Sequence, residues 1–324
     1  MDIKQFENKV IQGDCIKVMK TMPDNSVDTV ICDPPYDLTS IVKRFGKKGS
    51  APAQYGKDGS FSRLSKGFMG KTWDGTGIAF QKFENGNFSQ PQFIPLNSAD
   101  IPMTDVQISP DGNSMLFSTF KDYEGKPEGF NFNIWTSEFK NGKWQNPTPF
   151  GSPIASSGNE FYPVMTNNRN IYYASDQGGN SDIYFSKFQD GQYQDPIKLP
   201  DNINSEKREA DSYVARDESF MIFVRVDEPD GYGNSDLYIS FREDEMKWSD
   251  PVNMGEDVNS NQVDGSPYVT PDGKYLIFTS GRMLEDIKER AIESYKDFRT
   301  IISSSDNGSL NFYIMNLDLD KYRK

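Results

Sequence analysis

Along residues 77–320 apolar and polar residues alternate in short runs, and the runs return with the same order. "GIAFQKFENGNFSQPQFIPLNS", "NIWTSEFKNGKWQNPTPFGSPIASS", "DIYFSKFQDGQYQDPIKLPDNINS" and "DLYISFREDEMKWSDPVNMGEDVNS" are four versions of one module, and "NFYIMNLDLDKY" is a clipped fifth. Between them lie "VQISPDGNSMLFST", "YPVMTNNRNIYYAS", "SYVARDESFMIFVR" and "SPYVTPDGKYLIFTS". Ser98, Ser156, Ser205 and Ser260 mark one place in successive copies, at steps of 58, 49 and 55 residues. A period of two within each run predicts short alternating strands, and Pro-Asp-Gly, Asn-Gly and Asp-Gly between runs predict tight turns. Each copy thus holds four short strands, and repeats of this length with four strands apiece indicate the blades of a β-propeller. Phe117, Trp135, Tyr173, Tyr184, Phe223, Tyr238 and Phe278 are expected to pack between blades.

Counting the two module types locates a gap. The "IYFSKF" type occurs five times and the "SPDG…FTS" type four times, so the first blade lacks its opening two strands. The expectation is a mainly β chain with about five blade-like four-stranded repeats, the first and last incomplete. Ring closure in propellers joins strands from both ends of the repeat array, so the weakest seam is expected between first and last. Met283–Ile301 breaks the period-two pattern. Leu284, Ile287, Ala291, Tyr295 and Phe298 form one apolar stripe at helical spacing, which predicts a helix inserted in the last blade. Docking on the scaffold is the ordinary use of such a stripe, with partner binding or service as a lid the less common ones.

Upstream the pattern differs. Lys9–Gln12 reads as a short strand ending at Gly13, Asp14 as a helix N-cap, and Cys15, Ile16, Met19 and Met22 as one helical face that stops at Pro23. "SVDTVICD" is the β-branched run of a buried parallel strand, and Asp33, Pro34, Pro35 and Tyr36 follow at its end, where α/β sheets hold their ligands. Residues 1–75 are therefore read as a truncated α/β fragment and residues 76–324 as the propeller, meeting at Asp74–Phe80. Residues 40–70 form a basic, Gly/Ser-rich loop that suits either contact with DNA phosphates or a linker. Two strands and a helix cannot close a core unaided, so the fragment is expected to be partly disordered or to lean on the first blade.

Charge divides the chain at the same place. Residues 1–75 carry 12 Lys and Arg against 9 Asp and Glu, a net of +3, which leaves −16 for the remainder of a chain whose total is −13. So acidic a remainder disfavours DNA, since phosphate binding runs on Lys and Arg. There is no histidine, which excludes Ser–His–Asp and Cys–His catalysis and histidine metal sites. Cys15 and Cys32 are the two cysteines, too few for a disulfide scaffold or a zinc cluster. No apolar run is long enough for a membrane span and residues 1–20 lack the apolar centre of a signal peptide, so the chain as written is expected in the cytoplasm.

"GDC…PDNSVDTVICDPPY", followed by "GFMGKTWDGTGI", resembles the amino-terminal part of DNA methyltransferases that modify exocyclic amines. That resemblance implies methyl transfer from S-adenosylmethionine to adenine N6 or cytosine N4. Asp33 and the Pro34 carbonyl would accept hydrogen bonds from the amine, the prolines would stiffen the loop, and Tyr36 would stack on a flipped base. A plain turn after a buried strand remains the structural alternative. The Gly-rich cofactor loop that the family needs is missing. The best match, "TPFGSPIASSG" at 148–158, lacks the leading carboxylate and falls in register with the repeats. The fragment is thus expected to be inactive alone, with S-adenosylmethionine and DNA entering only if another chain supplies the cofactor half.

The "SPDG" turns and "DIY" strands resemble the TolB-type propeller repeat, whose members are often periplasmic or exported. With no histidine and no Gly-x-Ser-x-Gly elbow, the expected function is a non-catalytic module that presents a face or central channel to a protein, peptide or glycan partner, with no cofactor. Asp182 and Asp236 precede matching strands and are expected to tie down turns. "DEPDGYGNSD" (227–236) supplies Asp227, Asp230 and Asp236 as oxygen ligands for calcium, or as an ordinary Asp/Gly-rich loop, since the EF-hand spacing is absent.

Overall fold

The computed structural model describes residues 79–80, 83–84, 87–88, 92–94, 96, 103–125, 131–283, 297, 301 and 306–323. The methyltransferase-like segment, its Asp33–Tyr36 motif and the basic loop lie outside the described residues, and the expected order of that segment lies there with them. So does most of the inserted helix, of which Asp297 and Ile301 are helical.

The described chain is a ring of small antiparallel sheets with the organisation of a β-propeller. An incomplete first unit pairs Ala79–Phe80 with Gln92–Phe93 and Phe83–Glu84 with Asn87–Phe88. The next sheet holds β1 (Thr104–Ile108), β2 (Ser114–Thr119), β3 (Asn133–Lys140) and β4 (Thr148–Pro149). A third repeats the plan with β5 (Glu160–Met165), β6 (Ile171–Ser175), β7 (Asp182–Ser186) and β8 (Ile197–Lys198). A fourth does so with β9 (Glu209–Val214), β10 (Phe220–Val226), β11 (Ser235–Asp244) and β12 (Val252–Asn253). The last has three strands, β13 (Asp264–Val269), β14 (Tyr275–Ser280) and β15 (Asn311–Asn316). Five blade-like units with an incomplete first and last are what the repeat count predicts.

Hydrophobic cores lie between sheets, and the strand period delivers residues to them alternately. Met115 and Phe117 of β2 face the first unit, packing with Ile94, Leu96 and Trp135. Leu116, between them, joins Ile134, Ile171, Tyr173 and Tyr184 on the other side. Strand β10 divides likewise, Met221 and Phe223 packing with Tyr172 and Ile183, Ile222 with Leu276 and Phe278. Successive side chains on a strand point to opposite faces, so a continuous apolar run is needed wherever both faces are covered. All seven aromatic residues assigned to the seams from sequence are buried.

The seams carry one recurrent polar clasp. Ser156, Ser205 and Ser260 each donate to a buried carboxylate four residues on, at the start of the inner strand. Ser205 Oγ lies 2.6 Å from Glu209 Oε1, Ser260 Oγ lies 2.9 Å from Asp264 Oδ2, and Ser156 Oγ closes on Glu160 Oε1. Two of these acids have a further partner: Asn133 Nδ2, at the start of β3 in the preceding sheet, donates to Glu160 Oε2 over 2.9 Å, and Arg225 Nε, on β10 of the same sheet, lies 3.6 Å from Glu209 Oε1. Among the described residues no helix is long and apolar enough to cross a membrane.

Candidate functional site

The inner strands β1, β5, β9 and β13 pack on one another in turn, so they line the propeller axis. Each is interrupted at the same point. Its pairing with the next strand shifts register between Thr104 and Gln107, Phe161 and Val164, Ala210 and Tyr213, and Gly265 and Tyr268. Inside every shift one non-glycine residue is left-handed: Asp105 (φ 56°), Tyr162 (φ 52°), Asp211 (φ 46°) and Ser266 (φ 49°). A side chain in this region costs on the order of 1 kcal/mol. Four such bulges turn four polar side chains toward the axis, where a regular strand would alternate.

These bulges are bonded in pairs. The Tyr162 N–H donates to Asp105 Oδ2 over 3.3 Å, and the Ser266 N–H donates to Asp211 Oδ2 over 3.0 Å. Thr104 Oγ1 donates to Asp105 Oδ1 over 2.7 Å. The Tyr162 hydroxyl faces the Asp211 carboxyl and steadies its charged form. Asp211 Oδ1 is the exception, being buried with no hydrogen-bond partner. Burial pushes the Asp105 carboxyl up to about 6, with the Asp211 charge adding to the rise and the Thr104 and Tyr162 bonds opposing it. Burial also pushes Asp211 up, against the bonds from Ser266 and Tyr162. Burial and the two neighbouring carboxylates raise the Tyr162 phenol well above its ordinary value, so it stays neutral and can donate. Gly265 makes room for this pair: a Cβ there would stand 3.0 Å from Asp211 Oδ2. Two desolvated carboxyls beside one phenol are chemically able to accept hydrogen bonds from a cationic donor.

A second concavity, a cleft of about 550 Å³, lies between the turns of two neighbouring sheets and is lined by Glu218, Arg242, Lys187, Glu245 and Phe188. Both of its cations are already paired, and Asp217, Glu243 and Asp244 leave the lining acidic. Arg242 Nη1 is paired with Glu218 Oε2, and Lys187 Nζ with Glu245 Oε1.

The sequence-derived acids fall elsewhere. Asp236 Oδ2 accepts from the Tyr232 N–H over 2.8 Å and the Gly233 N–H over 3.4 Å, so it ties its turn. Asp182 instead reaches Lys198 Nζ, 2.8 Å away across the sheet. Asp230 accepts from the Tyr238 hydroxyl over 2.6 Å, and Asp227 is a left-handed, exposed loop residue. Among the described residues no group of three or more potential metal ligands forms. The Gly-rich stretch at 148–158 opens with β4, whose Thr148 pairs with Thr136 of β3, so it begins as part of a blade. Asp105, Tyr162, Asp211 and Ser266 were not singled out from the sequence. The usable signal was an acid inside an apolar inner strand, in "TDVQI" and "EADSYV".

Fold and site together define a β-propeller module, joined to an amino-terminal segment similar to methyltransferases. No family model matches the chain. A stretch of 48 residues, 15% of this chain, is 46% identical to the Type II methyltransferase M.HinfI of Haemophilus influenzae. Another of 29 residues, 9% of the chain, is 55% identical to YubD, a methylase-class protein of Escherichia coli strain K12. Each match spans 13% of the relative's length. Among solved structures, a TolB-type protein of Agrobacterium tumefaciens covers 74% of this chain and 83% of its own, at 12% identity and a TM-score of 0.43. A puromycin-hydrolyzing peptidase of Mycobacterium tuberculosis covers 64% and 32%, at 12% identity and a TM-score of 0.39.

Proposed function

We propose that the chain is a non-catalytic propeller module that binds a protein or peptide partner through its axial face, with the Asp105–Asp211 pair receiving a lysine or arginine side chain. The observation that supports this reading is Asp211 Oδ1, a buried carboxylate oxygen with no partner of its own. A buried carboxylate oxygen left without a donor is costly, and a cation with hydrogen bonds to give relieves it. A glycan would bring hydroxyls to the same atoms without charge, so a basic peptide is the better match to a region of net −16. The test titrates the full chain with hexalysine by calorimetry. Saturable binding is expected at pH 8, at least about tenfold weaker in Asp211→Asn and unchanged in Asp190→Asn, which removes the same charge from an exposed hairpin tip. Equal weakening in the two variants would reduce the effect to net charge and end the proposal.

The identity with methyltransferases carries a second reading for residues 1–75. Asp33, Pro34, Pro35 and Tyr36 would act on adenine N6 or cytosine N4 with S-adenosylmethionine held by another chain. Methyl transfer to DNA by the full chain mixed with a cofactor-binding half, lost in Asp33→Ala, is its test. Absence of transfer in the mixture leaves the segment inactive.

A further inference from the structure

Among the described residues no strand occupies the outermost position of the last sheet. In the three preceding sheets a short fourth strand covers the third at one fixed register: Thr136 pairs with Thr148, Phe185 with Ile197, and Ile239 with Val252. Two residues on, the N–H of Phe150, Leu199 and Met254 donates to the carbonyl of Ile134, Ile183 and Leu237, over 2.9, 3.0 and 3.0 Å. In two of these sheets an asparagine completes the cover. Asn204 Oδ1 accepts from the Ile183 N–H over 2.7 Å, and Asn259 Oδ1 from the Leu237 N–H over 2.8 Å.

The corresponding residues of β15 are Phe312 and Ile314. Among the described residues β15 pairs with β14 alone. The outward N–H and C=O of Phe312 find no described partner there. Exposure follows the same line: Ile134, Ile183 and Leu237 are buried, whereas Phe312 is 42% and neighbouring Leu310 61% exposed. An uncovered edge with unpaired backbone groups is a template for another strand.

The covering strands share a sequence. "NPTPF" (146–150), "DPIKL" (195–199) and "DPVNM" (250–254) each set Asp or Asn and Pro before two outer-strand residues and an apolar residue that enters the core. The proline sits just ahead of the paired residues, where its missing N–H costs no ladder bond. All three segments are engaged in their own sheets, so a second copy of the chain would have to dismantle a blade to donate one.

We propose that the outer edge of β15 is a docking site for an extended segment of a different protein, of the pattern Asp/Asn-Pro-x-x-apolar, which adds as the fourth strand of the last sheet. Backbone bonds to Phe312 and Ile314 supply the register, and the apolar residue fills the place that Leu199 and Met254 occupy two and one sheets earlier.

The probe is a labelled decapeptide with the sequence of residues 195–204, titrated into the full chain by fluorescence anisotropy. Saturable binding is expected, weakened about tenfold or more by Ile314→Pro, which removes an N–H on the open side and leaves the β14 ladder intact. Amide hydrogen exchange gives a readout that needs no variant: Phe312 and Ile314 exchange fast in the free chain and slow on peptide addition. Three results overturn the proposal. The peptide fails to bind; or both amides are already protected in dilute protein, so the chain covers its own edge; or protection rises with protein concentration alone, so a second copy is the occupant.

Discussion

Glu218 shows how one residue departs from its repeat. In the turn between first and second strands the left-handed position is held by Gly112, Arg169, Glu218 and Gly273 in successive sheets. Glycine takes that conformation freely, so a glutamate there has another reason to be present. Its buried carboxylate accepts from Thr166 Oγ1 over 2.8 Å, Asn170 Nδ2 over 2.7 Å and the Tyr172 hydroxyl over 3.0 Å, all in the preceding sheet, and pairs with Arg242. Burial alone would raise its pKa. The bonds from Thr166, Asn170 and Tyr172 and the Arg242 charge outweigh it and hold the group below the usual carboxylate range. Glu218→Ala is expected to cost about 3 kcal/mol, because it strands Arg242 and three donors in the seam. Glu218→Gly should cost about 1 kcal/mol less by relaxing the turn. Urea unfolding of the two variants checks both; equal stability of Glu218→Ala and wild type would remove the carboxylate from the list of seam ties. At the axis the corresponding test is Gly265→Ala. Its methyl group would crowd Asp211 Oδ2 at 3.0 Å, so hexalysine binding should weaken while thermal stability falls by about 1 kcal/mol or less. A variant that binds as the wild type does would show that Asp211 is not held by this contact.

At the scale of elements, what was legible in the sequence is what each strand states for itself. The apolar runs of β2, β6 and β10 foretold the strands, and strand geometry alone then sends their successive side chains to two buried faces. The serines were legible as marks of the repeat. Their clasp was not, because the partner acid varies as Glu160, Glu209 and Asp264, and Pro102 stands four residues after Ser98. The bulges were illegible for a stronger reason. Asp105, Tyr162, Asp211 and Ser266 share a backbone state but no one residue type, the two acids apart, and that state is set by pairing with the neighbouring strand. Of the calcium candidates, Asp236 bonds three and four residues back and Asp230 bonds Tyr238 on the following strand, and loop composition cannot separate such ties from a ligand. The clasp is testable one element at a time. Ser205→Ala leaves Glu209 with one donor fewer in a dry seam and should cost about 1–2 kcal/mol in urea unfolding. Loss of less than about 0.5 kcal/mol would mean that the Ser205 N–H and the Arg225 contact sustain the acid without the hydroxyl.

For the whole molecule, charge decides how stability follows pH. The raised carboxyls form one set: Asp105 at about 6, Glu160 at about 7, and Glu209, Asp211 and Asp236, each pushed up chiefly by burial. A folded pKa above the unfolded one means that the native state binds the proton more tightly. Its stabilisation is complete below the ordinary carboxylate range and is lost as pH rises through the folded value. The net charge of −13 adds self-repulsion in the same direction. Asp111, Asp217, Glu218 and Asp272 form the opposing set, their pKa values lowered by hydrogen bonds, so their contribution is present above the ordinary range and lost as pH falls through the folded values. The two sets place the maximum between about 4 and 6, on the acid side of neutrality. Thermal melting from pH 3.5 to 8.5 should therefore show a fall in Tm from pH 6 to pH 8. Glu160→Gln should flatten that limb, because the amide cannot ionise in the seam between Asn133 and Ser156. At pH 8, added salt should recover part of the loss by screening the surface repulsion, while the share due to the buried acids stays. A Tm that climbs steadily to pH 8, with Glu160→Gln parallel to wild type, would mean that the seam carboxyls are charged and matched in the native state.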